Sequence, residues 1–99
     1  MKYDLTEKLR FDEDPKLVIR DTVLTVRSDA EVVLRLMDVL SRKGEAAGAS
    51  EAVELLFSKG DQKKLAALGL KLGDYLEVLK AAVQLAMGSD PEESAQPGE

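Results

Sequence analysis

At Ser28 the spacing of apolar residues changes. Before it they recur at every second position, as Leu17 and Ile19 in KLVIR and as Leu24 and Val26 in TVLTVR. A period of two puts each pair on one face of a strand. After it, Val32, Val33, Leu36, Met37 and Leu40 fall three or four apart, which lines them up along one stripe of a helix. One switch, with the strand period first, predicts the α+β class: an N-terminal β-hairpin or small antiparallel sheet packed against a C-terminal bundle of about four helices.

The β-branched runs flank Arg20-Asp21, which is a weaker turn signal than Asn-Gly, so the hairpin rests on its strands more than on its turn. Upstream, Leu9 and Phe11 sit two apart in KLRF before the acidic DEDP break. Ser28-Asp29-Ala30-Glu31 has the form of a capping box, with the Ser28 hydroxyl accepting from the Glu31 amide. The first helix should end near Lys43-Gly44 and GEAAGA should be a flexible connector. Ser50 is the expected N-cap of a short helix that stops at Lys59-Gly60, and Asp61 the N-cap of DQKKLAAL, with Leu65 and Leu68 inward and Gly69 as its stop.

The last helix should run from Leu72 to Met87, with Leu72, Tyr75, Leu76, Leu79, Val83 and Ala86 as its core stripe and Gly88 as its end. Phe57 and Tyr75 fall at core spacing and read as packing residues. GSDPEESAQPGE is almost free of apolar residues and should be disordered. The expected organisation is a single α+β domain over 1–88 followed by a disordered acidic tail over 89–99.

What the chain lacks narrows its chemistry. It has no His, Cys or Trp, so the commonest general base, the thiolate nucleophile and the usual transition-metal ligands are missing together. With 99 residues it builds one modest core and little depth for a pocket that could shift carboxylate or lysine pKa values. The sequence therefore reads as a non-enzymatic binding protein with no catalytic residues, no metal and no cofactor. Asp12, Glu13 and Asp14 lack the spaced oxygens and glycine of a calcium loop and read as a solvated turn. No glycine pattern matches a phosphate-binding loop.

The net charge is −5, and Asp90, Glu92, Glu93 and Glu99 in the tail account for most of it, so the rest of the chain is nearly neutral. Nucleic acid is not the expected partner, because phosphate-tracking domains carry a basic face. Lys59, Lys63 and Lys64 read as ordinary solvated helix positions. No apolar run approaches the ~20 residues that span a bilayer, and the start MKYDLTEKLRFDED has no apolar signal core, so a cytoplasmic protein without membrane association is expected.

Val78, Ala81 and Leu85 fall off the stripe centred on Leu79 and line up with one another, and Leu34 lies far from the stripe of its own helix. Either they pack under loops or stand as scattered surface residues, or they form a protein-binding or self-association surface. Leu34, Val78, Ala81 and Leu85 are accordingly the candidate partner-binding residues.

In order along the chain, DLTEKLRF, LVIRDTVLTVRSDAE, VVLRLMDVL and EAVELLFSKGDQKKLAALGLKLGDYLEVLKAAVQLAMG resemble the small tail assembly chaperones of long-tailed bacteriophages and related prophages. The likeness covers roughly residues 4 to 88. Its most specific stretch is a short helix ending in LLF, an acidic-x-x-Lys-Lys-Leu helix and a final helix opening on an acidic-aromatic pair, here Asp74-Tyr75. Gly73, a weak helix former, departs from the pattern at that opening.

The resemblance implies a protein that binds the tape measure protein, keeps it soluble, helps tail tube protein polymerise around it, and is absent from the finished virion. Many such genes yield a longer frameshifted product that diverges in the tail. Two other classes share this size and build. One is a structural virion component, such as a head-tail connector or tail completion protein. The other is a small DNA-binding regulator using the helices around Asp61.

Overall fold

A computed structural model describes residues 1–9 and 13–89. The fold is α+β: strands β1 (Lys16–Ile19) and β2 (Thr22–Thr25) precede helices α1 (Ala30–Ala47), α2 (Ala49–Leu56), α3 (Lys59–Ala67) and α4 (Leu72–Ala86). The expected tail lies outside the described residues from position 90 onward, as do Phe11 and Asp12.

β1 and β2 form the expected antiparallel hairpin, with Leu17 opposite Leu24 and Val18 opposite Val23. The two-residue turn requires a left-handed backbone at Arg20, with φ of 55°. A side chain there costs about 1–2 kcal/mol, which the strand pairing and the buried face must outweigh. Alternation then does what the sequence predicts: Leu24 and Val26 are fully buried, Leu17 and Ile19 pack beside them, and Val18 and Val23 face outward. The Val26 amide donates to the Pro15 carbonyl at 2.9 Å, carrying the pairing one step past the strands.

The outer edge of β2 is closed by the helices. Asp61 Oδ2 accepts from the Thr25 amide at 2.9 Å, the Leu56 carbonyl accepts from the Arg27 amide at 2.9 Å, and Lys64 Nζ reaches the Val23 carbonyl at 3.5 Å. Asp61 is therefore not the N-cap of α3. That position belongs to Ser58, whose hydroxyl accepts from the Asp61 amide at 3.2 Å and so leaves the Asp61 carboxylate free for the strand. Asp61→Ala, which strands the half-buried Thr25 amide, should cost about 1.5–3 kcal/mol, the range for hydrogen bonds to charged groups. Urea midpoints of Asp61→Ala and Asp61→Asn check this, since the amide keeps an acceptor and should lose less.

The capping box at Ser28 does not form. α1 begins at Ala30, and both the Ser28 hydroxyl and its amide donate to Asp14 Oδ1, at 2.7 and 3.3 Å. A carboxylate is the stronger acceptor, and it ties the acidic turn before β1 to the start of α1. Asp14 is thus half-buried and structural, where the sequence reading made it part of a solvated turn.

Gly44 breaks α1 where expected, but the chain does not become a loose connector. Gly44 takes φ 81° and ψ 173°, a helical turn follows to Ala47, and the Gly48 amide donates back to the Gly44 carbonyl at 2.9 Å. α2 then starts at Ala49, one residue before the expected cap at Ser50, and ends at Leu56, short of Lys59-Gly60, because Phe57 is extended. Lys43 and Glu51 form an ion pair across this corner.

The Lys43 ammonium holds the Glu51 carboxyl below its usual range by hydrogen bonding and then by charge attraction. A depressed folded value stabilises the fold above the unfolded pKa near 4.5 and is lost as pH falls through the lower folded value. Urea midpoints at about pH 7 and about pH 3 should therefore fall less steeply for Glu51→Gln than for the parent chain.

One apolar core joins the layers, with Leu24 and Val26 from the hairpin against Leu36 of α1, Leu56 and Phe57 around the end of α2, Leu65 of α3 and Leu79 and Ala82 of α4. Three residues expected in it stand outside, among them Leu76 of α4, which is half-buried away from the cluster. Met37 is half exposed because it lies about 100° round the helix from Leu36, while Val39 on the other side is buried under Gly48. Leu72 is 72% exposed, because a helical side chain leans over the preceding turn and the first residue of α4 has none.

Candidate protein-binding surface

The four partner-binding candidates separate in three dimensions. Leu34 stands free at 64% exposure, whereas Val78, Ala81 and Leu85 are half-buried, and Val78 and Leu85 pack against the core. The strip on α4 is thus part of a wide buried arc. Leu85 shares a hollow with Pro15 and Ala30, while Leu76 and Val83 line a second hollow with Leu40 of α1 on the other flank.

These two hollows also show how α1 and α4 run. The start of α1, at Ala30, lies by the end of α4, at Leu85–Met87, and Leu40 and Glu45 lie by Leu76 and Lys80, so the helices are antiparallel. On α1 the seam is marked by Leu40, and on α4 by Leu76 and Val83. Stepping about 100° per residue, Met37 on α1 and Met87 on α4 are the next apolar positions outward from it. Both are about half exposed, and Leu34 lies one step beyond Met37. Leu34, Met37 and Met87 are exposed, while Val33, Leu40, Leu76 and Val83 are half-buried.

The sequence pointed to Leu34 but not to this surface. Met37 looked like core because it continues the three-four spacing, and Met87 looked like a helix end. The signal available was their type: methionine is flexible and polarizable and adapts to irregular apolar partners.

The charged groups among the described residues lie at the surface or at its margin. Arg42 pairs with Asp38 at 3.1 Å within α1, and both are exposed. Asp4 is lowered by hydrogen bonds from the Thr6 hydroxyl and amide, on a fully exposed segment. Tyr75 is raised by burial of its ring. Among the described residues no three His, Cys, Asp or Glu side chains converge on a point that could hold a metal ion, and no helix is long and apolar enough to cross a membrane.

Comparison with family models, with curated proteins and with solved structures finds no match to this chain.

Proposed function

We propose that this protein is a tail assembly chaperone of a bacteriophage or prophage, acting in the host cytoplasm by binding a tape measure protein and holding it soluble until tail tube protein assembles around it. The reading rests on the ordered sequence phrases that resemble that family. The observation that supports it physically is the exposure of Leu34, Met37 and Met87 on the helices of a small domain.

A tape measure protein is long and helical, and its apolar stripes need temporary cover before assembly. An amphipathic helix of that kind lays its apolar stripe on an exposed apolar surface. Methionine contacts accept varied sequences along such a partner, and a small interface releases readily when tube protein takes over. The work is binding alone, without catalysis or cofactor.

Co-expression with the tape measure protein encoded next to it tests the reading. The parent chain should bring that protein into the soluble fraction and co-purify with it. Leu34→Glu combined with Met37→Glu should abolish both effects, with the urea midpoint changed by no more than about 0.5 kcal/mol, because both positions are exposed. A tape measure protein that stays insoluble with the parent chain, or is rescued equally by the double variant, overturns the proposal. Mass spectrometry of purified particles separates the main rival, since a structural virion component is retained there and a chaperone is not.

A further inference from the structure

The two long edges of the hairpin are unequal. On β2 the outward backbone groups of Val23, Thr25 and Arg27 are taken up by Lys64, Asp61 and Leu56. Because Thr25 sends its amide outward, its pair with Lys16 and the neighbouring Val18–Val23 pair but one are the non-hydrogen-bonded pairs of the ladder. Lys16 and Val18 therefore direct their own amides and carbonyls away from β2. Among the described residues the sheet has two strands only, and this edge of β1 is open. Beside it, Val18 and Val23 form an exposed apolar pair, Val18 at 64%.

The same chain carries a segment that matches this edge. Met1 to Leu9 is exposed at every position, with large apolar side chains at Met1, Tyr3, Leu5 and Leu9. Odd-numbered spacing places them on one face if the segment is extended. Only local bonds bend it: Asp4 Oδ1 accepts from Thr6, a single 3-10 turn spans Thr6–Lys8, and the Lys8 ammonium sits 5.5 Å from the Tyr3 ring centre. These contacts are local and leave Met1, Tyr3, Leu5 and Leu9 exposed, so an extended alternative with a strand to pair against competes well.

We propose that Met1–Leu9 of one copy adds as a third strand to the open edge of β1 in a second copy, its apolar side chains joining Val18 and Val23 on the exposed face. Strand addition supplies backbone hydrogen bonds for affinity and alternating side chains for register. A second copy is the occupant because each chain exposes one donor and one acceptor, and a two-fold exchange satisfies both at once. Among the described residues no backbone bond joins the arm to its own β1 edge. The inference is independent of the tail-assembly reading, and the Leu34→Glu, Met37→Glu chain should dimerise normally.

Sedimentation of the full chain from about 1 μM to about 1 mM, a range that covers weak to moderate association, should show a monomer passing to a dimer. An arm variant, Tyr3→Ser with Leu5→Ser and Leu9→Ser, should stay monomeric throughout, as should deletion of residues 2–9. An edge variant, Val18→Lys, should also stay monomeric, since a lysine on an edge strand opposes pairing. Mixing the arm variant with the edge variant should restore a one-to-one heterodimer, because one still offers the edge and the other the arm. Circular dichroism of all variants should match the parent. A parent chain that is monomeric across the range, a dimer that survives both sets of changes in one chain, or a mixture that remains two monomers overturns the proposal.

Discussion

Phe57→Ala should lower the melting midpoint by about 15 °C or more and leave the domain close to unfolded at moderate temperature. Phe57 is the largest fully buried side chain, and it occupies the junction of three elements. Its ring lies in the cluster that holds Leu24 of β2, Leu36 of α1 and Leu56 of α2. Its backbone ends α2, with the amide bonded to the Val53 carbonyl, while its own carbonyl accepts from Gln62 Nε2 of α3 at 2.9 Å. Removing the ring leaves a cavity that rigid neighbours on three sides cannot close, which costs about 3–5 kcal/mol. A domain of this length has only about 5–15 kcal/mol in total. Phe57→Leu keeps most of the volume and should lose clearly less, and thermal denaturation followed by circular dichroism distinguishes the two. Equal losses would mean that the junction depends on the backbone bonds and not on the ring.

The second large effect is expected at the corner between α1 and α2. Gly44→Ala places a side chain at φ 81° and ψ 173°, a region open essentially to glycine alone, and should cost about 1–3 kcal/mol through backbone strain. Gly48→Ala fails for a different reason. Its added Cβ would lie 2.8 Å from the Gly44 carbonyl oxygen and 3.0 Å from Val39 Cγ1, so either the corner opens or Val39 leaves its place. Overpacking of this kind costs about 1–3 kcal/mol. Urea midpoints separate the causes: Val39→Ala should partly rescue Gly48→Ala and do nothing for Gly44→Ala. No rescue would place the whole clash on the backbone.

Much of the fold could be read from the chain because local signals and tertiary packing agree there. The switch of period at Ser28, the hairpin around Arg20-Asp21 and the stops at Gly44, Gly69 and Gly88 rest on backbone geometry that neighbouring residues set. The two misread caps share one cause, competition from residues distant in sequence. Ser28 fits a capping box until Asp14, fourteen positions away, offers a carboxylate. Asp61 fits an N-cap until Thr25, thirty-six positions away, presents an amide.

The candidate surface was less legible for the same reason. A helical wheel gives the angle between side chains but not which flanks neighbouring helices cover. Val78 and Leu85 read as surplus on a narrow stripe, whereas α4 buries a wide arc. Met37 reads as core because its spacing is regular and Met87 as a helix end, and both stand about half exposed.

No buried polar or charged side chain occurs among the described residues, so the interior holds its shape by aliphatic volume around one aromatic ring. Interiors of this kind accept many exchanges of Leu, Ile, Val and Met at constant volume. Descendants of one ancestral gene could therefore drift until little of the original text survived, while keeping the same shape. The positions that resist such drift are few and scattered: the two corner glycines, the acid that seals β2, and Ser58 at the head of α3. A search for distant kin keyed to that sparse signature would reach further than one weighted toward the leucines.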